Sequence, residues 1–244
     1  HAVGYEPGAH RKFLVDYFTG AYDDSPARGQ PFGRNQKTGD ARISGSLASL
    51  VGLETALQLG DEAQVQSCID QILLMHSLIM AFGGIPLLYY GDELGTLNNE
   101  SYVKDAEKAK DSRWIHRPSY DWQRAELRHK RGSVEHRIFE GLKQMIAVRK
   151  SVEAMADFNN RELIDVGNPH LFVFTRTHPS ILLDSVVVVA NFNDKPEQFN
   201  LRDLRNRGRF ELGELRDLVS GESPDLVEGQ LVVPAHGFYW LVSA

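Results

Sequence analysis

The sequence predicts an α/β fold followed by an all-β fold: part of an α/β barrel, then an antiparallel β-sandwich. Three observations predict this order. Apolar residues recur at helical spacing up to about residue 154, a single apolar run of strand length lies at residues 85–90, and short β-type runs follow from about residue 155. A helix, a buried strand, a polar loop and a second helix in succession are typical of an α/β barrel.

Helical spacing marks four segments before the sandwich. Ser44 or Ser46 can cap the second of them and Asp61 the third, while glycines end the first three. Residues 21–41 are rich in proline and glycine, which predicts a long irregular loop of the kind that often has a function. The predicted helices are residues 10–18, 47–60, 61–82 and 133–151.

The apolar run Ile85–Tyr90 is continuous and flanked by glycines, which favours a strand buried on both faces. Its carboxyl end leads into Gly91, Asp92 and Glu93. We interpret Asp92 and Glu93 as residues that hold the following loop, not as catalytic groups. Turn residues separate the predicted sandwich strands, which are residues 163–166, 171–175, 185–192, 210–218, 230–233 and 238–242.

Composition excludes several classes of partner. The chain has 27 basic and 33 acidic residues, and its densest basic run, 202–209, is interrupted by acidic and apolar residues, so we expect no nucleic-acid partner. Apolar stretches fall short of the roughly 20 residues that a membrane span needs. Cys68, the only cysteine, is predicted to be a buried thiol. The nine histidines lack metal-ligand spacing, and we expect neither a metal nor an organic cofactor.

Several segments resemble motifs of the α-amylase superfamily, glycoside hydrolase family 13. Residues 84–93 match G-x-P-x-x-Y-x-G-D-E, which closes the (β/α)8 TIM barrel of that family, and residues 117–122 resemble its R-x-P-M-x-W loop. Residues 146–151 resemble the end of the eighth barrel helix, and residues 234–241 the last strand of the C-terminal β-domain.

The resemblance implies three parts in the chain. Residues 1–60 would be an excursion after barrel strand 7 with the start of its helix. Residues 61–154 would end the barrel, including strand 8 and helix 8. Residues 155–244 would form the C-terminal β-sandwich domain.

Two further segments, GDARISGSLASLVGL at 39–53 and DSRWIHRP at 111–118, resemble amylosucrases and the related sucrose hydrolases. The resemblance implies that Arg113 pairs with an aspartate near the start of the barrel and closes a pocket for one glucosyl unit, a geometry that suits a planar guanidinium. Arg113 could instead be an exposed arginine in a polar loop.

Four more residues match positions that line acceptor and glucan sites in amylosucrases: Arg11, Phe13, Asn35 and Arg42. Guanidinium groups donate hydrogen bonds to sugar hydroxyls, and an aromatic ring offers an apolar face. Alternatives remain at two of these positions, since Phe13 could belong to the core face of its helix and Arg11 could be solvated.

The catalytic carboxylates of the family have no match in this sequence. A retaining glycosidase needs a nucleophile and an acid/base about 5 to 5.5 Å apart, and the resemblance implies that these groups follow barrel strands four, five and seven. We therefore expect a C-terminal fragment of an enzyme that cleaves sucrose and transfers glucose to an α-glucan or water, with the remainder of the same polypeptide as its partner. Alternatives are a sucrose hydrolase, another α-glucosidase, or a non-catalytic carbohydrate-binding remnant.

Overall fold

The computed structural model of the chain describes residue 4 and residues 6–177, 185–205 and 214–243. The chain divides into two compact units. The first, which we call the loop unit, comprises His1–Ile72 and Tyr89–Phe139. The second, the sandwich unit, comprises Leu73–Leu88 and Glu140–Ala244.

Three of the four predicted helices form as expected. The Asp61 carboxylate accepts the Gln64 backbone N–H at 3.0 Å and caps one of them, and the Ser133 hydroxyl accepts the His136 N–H at 3.1 Å and caps another. The helices of the described residues are α1 (Pro7–Phe18), α2 (Leu47–Leu50), α3 (Leu53–Leu59), α4 (Glu62–Ala81), α5 (Trp122–Ala125), α6 (Val134–Ser151) and α7 (Arg202–Arg205), with short 3₁₀ turns between them.

The predicted helix over residues 47–60 is divided in two, α2 and α3, by Gly52. This glycine has a φ of 93°, and a Cβ atom at this position would lie 2.7 Å from Cβ of Pro26. Only glycine adopts this φ without strain, and only glycine lacks the Cβ atom that would collide with Pro26. The close approach of Pro26 explains why a continuous helical pattern in the sequence gives two shorter helices.

The prediction of a buried strand at Ile85–Tyr90 was wrong for this chain. No strand or helix forms there, and the side chains of Ile85 and Leu87 are 86% and 83% exposed. A strand is defined by backbone pairing with a neighbour, and the described residues offer this segment none. The segment therefore has the apolar sequence of a buried strand but lacks the neighbouring strands that would bury it.

The predicted antiparallel sandwich is confirmed. Within the described residues, a five-stranded sheet has the order β3-β4-β5-β10-β7 and a three-stranded sheet the order β6-β9-β8, and all neighbouring strands are antiparallel. Buried side chains from both sheets meet in one core, such as Val187 and Val189 with Leu231 and Val233. The strands are β3 (Arg161–Ile164), β4 (Leu171–Arg176), β5 (Val186–Asn191), β6 (Glu197–Asn200), β7 (Leu215–Asp217), β8 (Leu226–Val227), β9 (Gln230–Val233) and β10 (Phe238–Ser243).

The six predicted sandwich strands each overlap an observed strand, β3, β4, β5, β7, β9 or β10, but two short strands were missed. Short β6 and β8, with mostly exposed side chains, were not predicted. In the predicted strand 210–218, residues 210–213 lie outside the described part of the chain, and β7 occupies only Leu215–Asp217. In the loop unit, a small hairpin was missed within and after the predicted loop: β1 (Gln30–Phe32) pairs with β2 (Arg42–Ser44).

Cys68 is a fully buried thiol, as predicted, and donates to the Val51 carbonyl oxygen at 3.2 Å. Burial raises the pKa of this thiol to about 11. Among the described residues, no helix is long and apolar enough to cross a membrane. No group of three or more His, Cys, Asp or Glu side chains in that part of the chain is arranged to hold a metal ion.

Candidate functional site

Two of the predicted sugar-contacting arginines, Arg42 and Arg113, meet at one aromatic ring in the loop unit. Phe32 ends β1 and lies directly opposite Arg42 in the hairpin. The guanidinium carbons of Arg42 and of Arg113 each lie 4.7 Å from the centroid of the Phe32 ring. The structure thus places two exposed cations over one half-buried aromatic ring, in an arrangement that favours cation–π attraction.

A long-range hydrogen bond helps to hold the turn that carries Arg113 beside this ring. Arg113 lies in the 3₁₀ turn Ser112–His116, which begins after Asp111. The Ser112 hydroxyl donates to the Pro31 carbonyl oxygen at 3.2 Å, which ties this turn to β1. The turn and the hairpin are far apart in sequence, and this bond helps to bring Phe32, Arg42 and Arg113 together. We call these three side chains the arginine–phenylalanine cluster.

Asp111 is the ion-pair partner of Arg113 in this chain. The Arg113 Nε donates to Asp111 Oδ1 at 2.9 Å and its Nη2 donates to Oδ2 at 2.7 Å, a bidentate geometry. Hydrogen bonds from the Arg113 side chain and backbone N–H lower the pKa of Asp111 to about 2. Asp111 therefore offsets the charge of Arg113, whereas Arg42 has no carboxylate within ion-pair distance among the described residues.

Asn35 lies in the hairpin loop that joins β1 and β2, and Arg11, a residue of α1, contacts that loop through its side chain. The Arg11 Nε is 3.6 Å from Asp40 Oδ2 in an exposed ion pair. The Asn35 side-chain oxygen accepts the backbone N–H groups of Lys37 at 2.9 Å and Thr38 at 3.3 Å. Asn35 thus shapes the loop, and its contact with a ligand remains a prediction.

Phe13, the fifth predicted site residue, belongs to a separate aromatic group on α1. Its ring lies 5.8 Å from that of Tyr17 and 5.2 Å from that of Tyr22, the latter edge to face. With 41% of its surface exposed, Phe13 is not a core residue of its helix. The alternative interpretation of a buried Phe13 is therefore wrong, and its role in binding remains a prediction.

Glu93 holds its loop, as the sequence predicts. Its carboxylate accepts the Gly91 backbone N–H at 2.7 Å and the Tyr120 hydroxyl at 2.8 Å. The Tyr90 hydroxyl donates to the Pro118 carbonyl oxygen at 3.0 Å, so two bonds join the loop after residue 90 to the loop around Tyr120.

Sequence reasoning missed the clefts that these loops create. One, of about 270 Å³, has Ser46, Tyr89, Asp92 and His116 in its lining. Burial lowers the pKa of His116, and the neighbouring Arg117 lowers it further, which favours a neutral imidazole at neutral pH. A second cleft, of about 420 Å³, lies around Trp114 and is lined by several cations. Both clefts depend on long-range contacts between loops, for which the sequence carries no spacing signal.

Comparison with known proteins relates the sandwich to a described domain. Residues 161–240 match the family model of the maltogenic amylase C-terminal domain. A relative at the sequence level is the trehalose synthase/amylase TreS of Mycobacterium tuberculosis, 26% identical over 192 residues. That match covers 70% of this chain and 31% of the relative, so the chain spans about a third of the length of this protein.

Solved structures extend the likeness beyond the sandwich. AmyP in complex with maltose gives a TM-score of 0.54 at 16% identity, over 75% of this chain and 36% of AmyP. The pullulanase of Anoxybacillus sp. LM18-11, complexed with maltotriose, gives 0.51 at 17% identity, over 80% of this chain and 25% of the pullulanase. Eubacterium rectale Amy13B gives 0.51 at 15% identity, over 82% of this chain and 37% of Amy13B. The sequence matches relate residues 161–240 to the maltogenic amylase C-terminal domain, and the structural matches show a fold shared with AmyP, the pullulanase and Amy13B.

Proposed function

We propose that this chain, related to the α-amylase superfamily, is the C-terminal part of a retaining enzyme that cleaves sucrose and transfers glucose to an α-glucan or to water. The superfamily consists of glycoside hydrolases and transferases and supplies the reaction class. The finer assignment to sucrose rests on the segments around Arg42 and Arg113, which resemble those of amylosucrases.

The arginine–phenylalanine cluster is the observation that carries this proposal. Sugar recognition needs hydrogen-bond donors for hydroxyls, and the Phe32 ring holds two guanidinium groups that provide such donors side by side. Both arginines are exposed, so their remaining N–H groups are accessible to a ligand.

Arg113 can accept a further carboxylate without losing Asp111. Asp111 is bound through Nε and Nη2 of Arg113, which leaves Nη1 for another acceptor. We expect the aspartate predicted to close the sugar pocket to bind there, supplied by the remainder of the same polypeptide.

The proposed reaction also needs catalytic carboxylates from that remainder. A nucleophilic carboxylate would displace fructose to give a covalent glucosyl-enzyme, which water or the end of a glucan would then attack with net retention. Hydrogen bonds lower the pKa values of four carboxyl groups, Glu6, Asp105, Asp111 and Glu197. A carboxyl group with a lowered pKa is ionised at neutral pH and acts as a hydrogen-bond acceptor. A general acid needs a raised pKa instead.

The exposed segment Ile85–Tyr90 supports a need for additional strands. Ile85 and Leu87 present apolar side chains to solvent in a sequence typical of a strand covered on both faces. Neighbouring strands from the remainder of the polypeptide would bury these side chains and complete the backbone pairing of the segment.

The test is sucrose turnover by the longer protein that contains this chain, comparing wild type with Arg113→Ala. Released fructose and insoluble α-glucan are measured, and Arg131→Ala, which removes an exposed arginine elsewhere in the loop unit, is the matched control. We expect fructose release to fall about 10- to 100-fold in Arg113→Ala, in the range for loss of hydrogen bonds to a charged group, and to stay near wild type in Arg131→Ala. A wild-type protein that releases no fructose would contradict the sucrose assignment.

Another α-glucoside is a second candidate substrate, favoured by the similarity to a trehalose synthase/amylase. The same assay with maltose and trehalose in place of sucrose separates the two candidates. Turnover of maltose or trehalose without turnover of sucrose would replace the sucrose assignment and retain the reaction class.

A further inference from the structure

The cleft around Trp114 differs in charge from the chain as a whole. The chain has a net charge of −6. The cleft nevertheless has three cationic side chains in its lining, Lys104, Lys108 and Arg117, and a single carboxylate, Asp105. All of these residues belong to the loop unit. A cleft with surplus positive charge in an acidic protein is a candidate site for an anion.

Only one of the three cations is neutralised locally. Lys108 Nζ lies 3.1 Å from Asp105 Oδ2, and this bond lowers the pKa of Asp105, so the carboxylate is ionised and offsets one cation. Lys104 and Arg117 have no carboxylate within ion-pair distance among the described residues. Two positive charges therefore remain for a ligand.

The Trp114 ring helps to hold the cations in the cleft. Lys108 Nζ lies 5.1 Å and the guanidinium carbon of Arg117 5.6 Å from the centroid of the indole ring. Both distances are within the range of cation–π attraction. Positioning cations before a ligand arrives reduces the conformational entropy that binding costs.

Neutral donors complete the lining. Asn99, Ser101 and Ser119 also face the cleft. The Asn99 side-chain oxygen already accepts the Ser101 N–H at 3.0 Å and the Ser101 hydroxyl at 2.7 Å, which leaves the Asn99 amide N–H groups as the available donors. Amide and hydroxyl groups beside cations suit a ligand with a charged end and a hydroxyl-rich end.

We propose that this cleft binds a phosphorylated sugar, with the phosphate on Lys104, Lys108 and Arg117 and the sugar hydroxyls toward Asn99, Ser101 and Ser119. The volume of about 420 Å³ lies within the range of small-molecule sites. Recognition of phosphate rests on the charges alone, whereas the choice of a sugar rests on the proposed function. Because sucrose and α-glucans are uncharged, this ligand is different in kind from the proposed substrates.

The test is isothermal titration calorimetry of the chain with glucose 6-phosphate, inorganic phosphate and glucose. The double variant Lys104→Gln/Arg117→Gln removes the two unpaired cations. The matched control Lys130→Gln/Arg131→Gln removes the same charge from exposed residues of the loop unit that do not line the cleft. Circular dichroism of both variants checks that each remains folded.

Glucose 6-phosphate is expected to bind more tightly than inorganic phosphate, and both more tightly than glucose. Binding of glucose 6-phosphate should weaken by about 10-fold or more in the cleft variant and stay within twofold in the control. Equal losses in the two variants would overturn the site, because they would indicate a general charge effect. No binding of glucose 6-phosphate, or equal affinity for it and for inorganic phosphate, would overturn the assignment of a phosphorylated sugar. Sucrose turnover by the longer protein is a separate measurement, so either proposal can fail without the other.

Discussion

The sandwich unit and the loop unit differ in how they use their aromatic and charged residues. In the sandwich unit, Phe174 and Trp240 are fully buried, and residues Val186–Asn191 of the central strand β5 are buried throughout. In the loop unit, Phe32, Arg42 and Arg113 are joined at the surface and leave donors free for a ligand. Aromatic side chains therefore stabilise a core in one unit and help to form a candidate binding surface in the other.

Phe174→Ala is expected to cause the largest loss of stability. Phe174 is completely buried, with its ring 5.3 Å from that of Phe82 and 5.5 Å from that of Phe172. Loss of the side chain leaves a cavity that costs about 3–5 kcal/mol in free energy of unfolding. The measurement is urea denaturation followed by circular dichroism.

The control for this change is Phe192→Ala, a phenylalanine of the same unit that is 45% exposed. Truncation at an exposed position should cost less than about 0.5 kcal/mol. Similar losses in the two variants would contradict the description of a closed sandwich core that contains Phe174.

A smaller effect on stability is expected from the exposed ion pair between Arg113 and Asp111 in the loop unit. Hydrogen bonds from Arg113 lower the pKa of Asp111 to about 2, from the usual 3.8. Because the folded-state pKa is depressed, the pair contributes to stability above about pH 4 and loses that contribution as the pH falls toward 2. Solvent and salt screen this exposed pair, so its effect on global stability is small.

A carboxyl titration by NMR measures this shift directly. In Arg113→Lys, which keeps the charge but loses the bidentate geometry, the pKa of Asp111 should rise part of the way toward 3.8, and in Arg113→Ala further still. An unchanged pKa of Asp111 in Arg113→Ala would contradict the ion pair.

The contrast between the units also separates what the sequence could predict from what it could not. Long segments with strong periodicity, such as α4, α6 and β5, were predicted within a few residues, because their patterns reflect burial that is local to each element. The apolar run Ile85–Tyr90 carries the pattern of a buried strand, yet burial depends on neighbouring strands that the described residues do not provide.

The sequence could predict the arginines of the candidate site but not its aromatic ring. Arg42 and Arg113 were identified through resemblance to known segments, whereas Phe32 lies in a stretch rich in proline and glycine that predicts an irregular loop. Its position opposite Arg42 follows from the register of β1 and β2, and the approach of Arg113 follows from the bond between Ser112 and Pro31. Register and long-range contacts of this kind leave no periodic signal in the sequence.

The most direct test of the arginine–phenylalanine cluster is fructose release from sucrose by the longer protein, wild type against Phe32→Ala. Phe158→Ala, which truncates an exposed phenylalanine of the sandwich unit, is the control. We predict that kcat/KM for sucrose falls about 10-fold or more in Phe32→Ala, through loss of the contact that positions both arginines, and that it is unchanged in Phe158→Ala. A kcat/KM for sucrose in Phe32→Ala equal to that of the wild type would contradict a role of the arginine–phenylalanine cluster in sucrose binding.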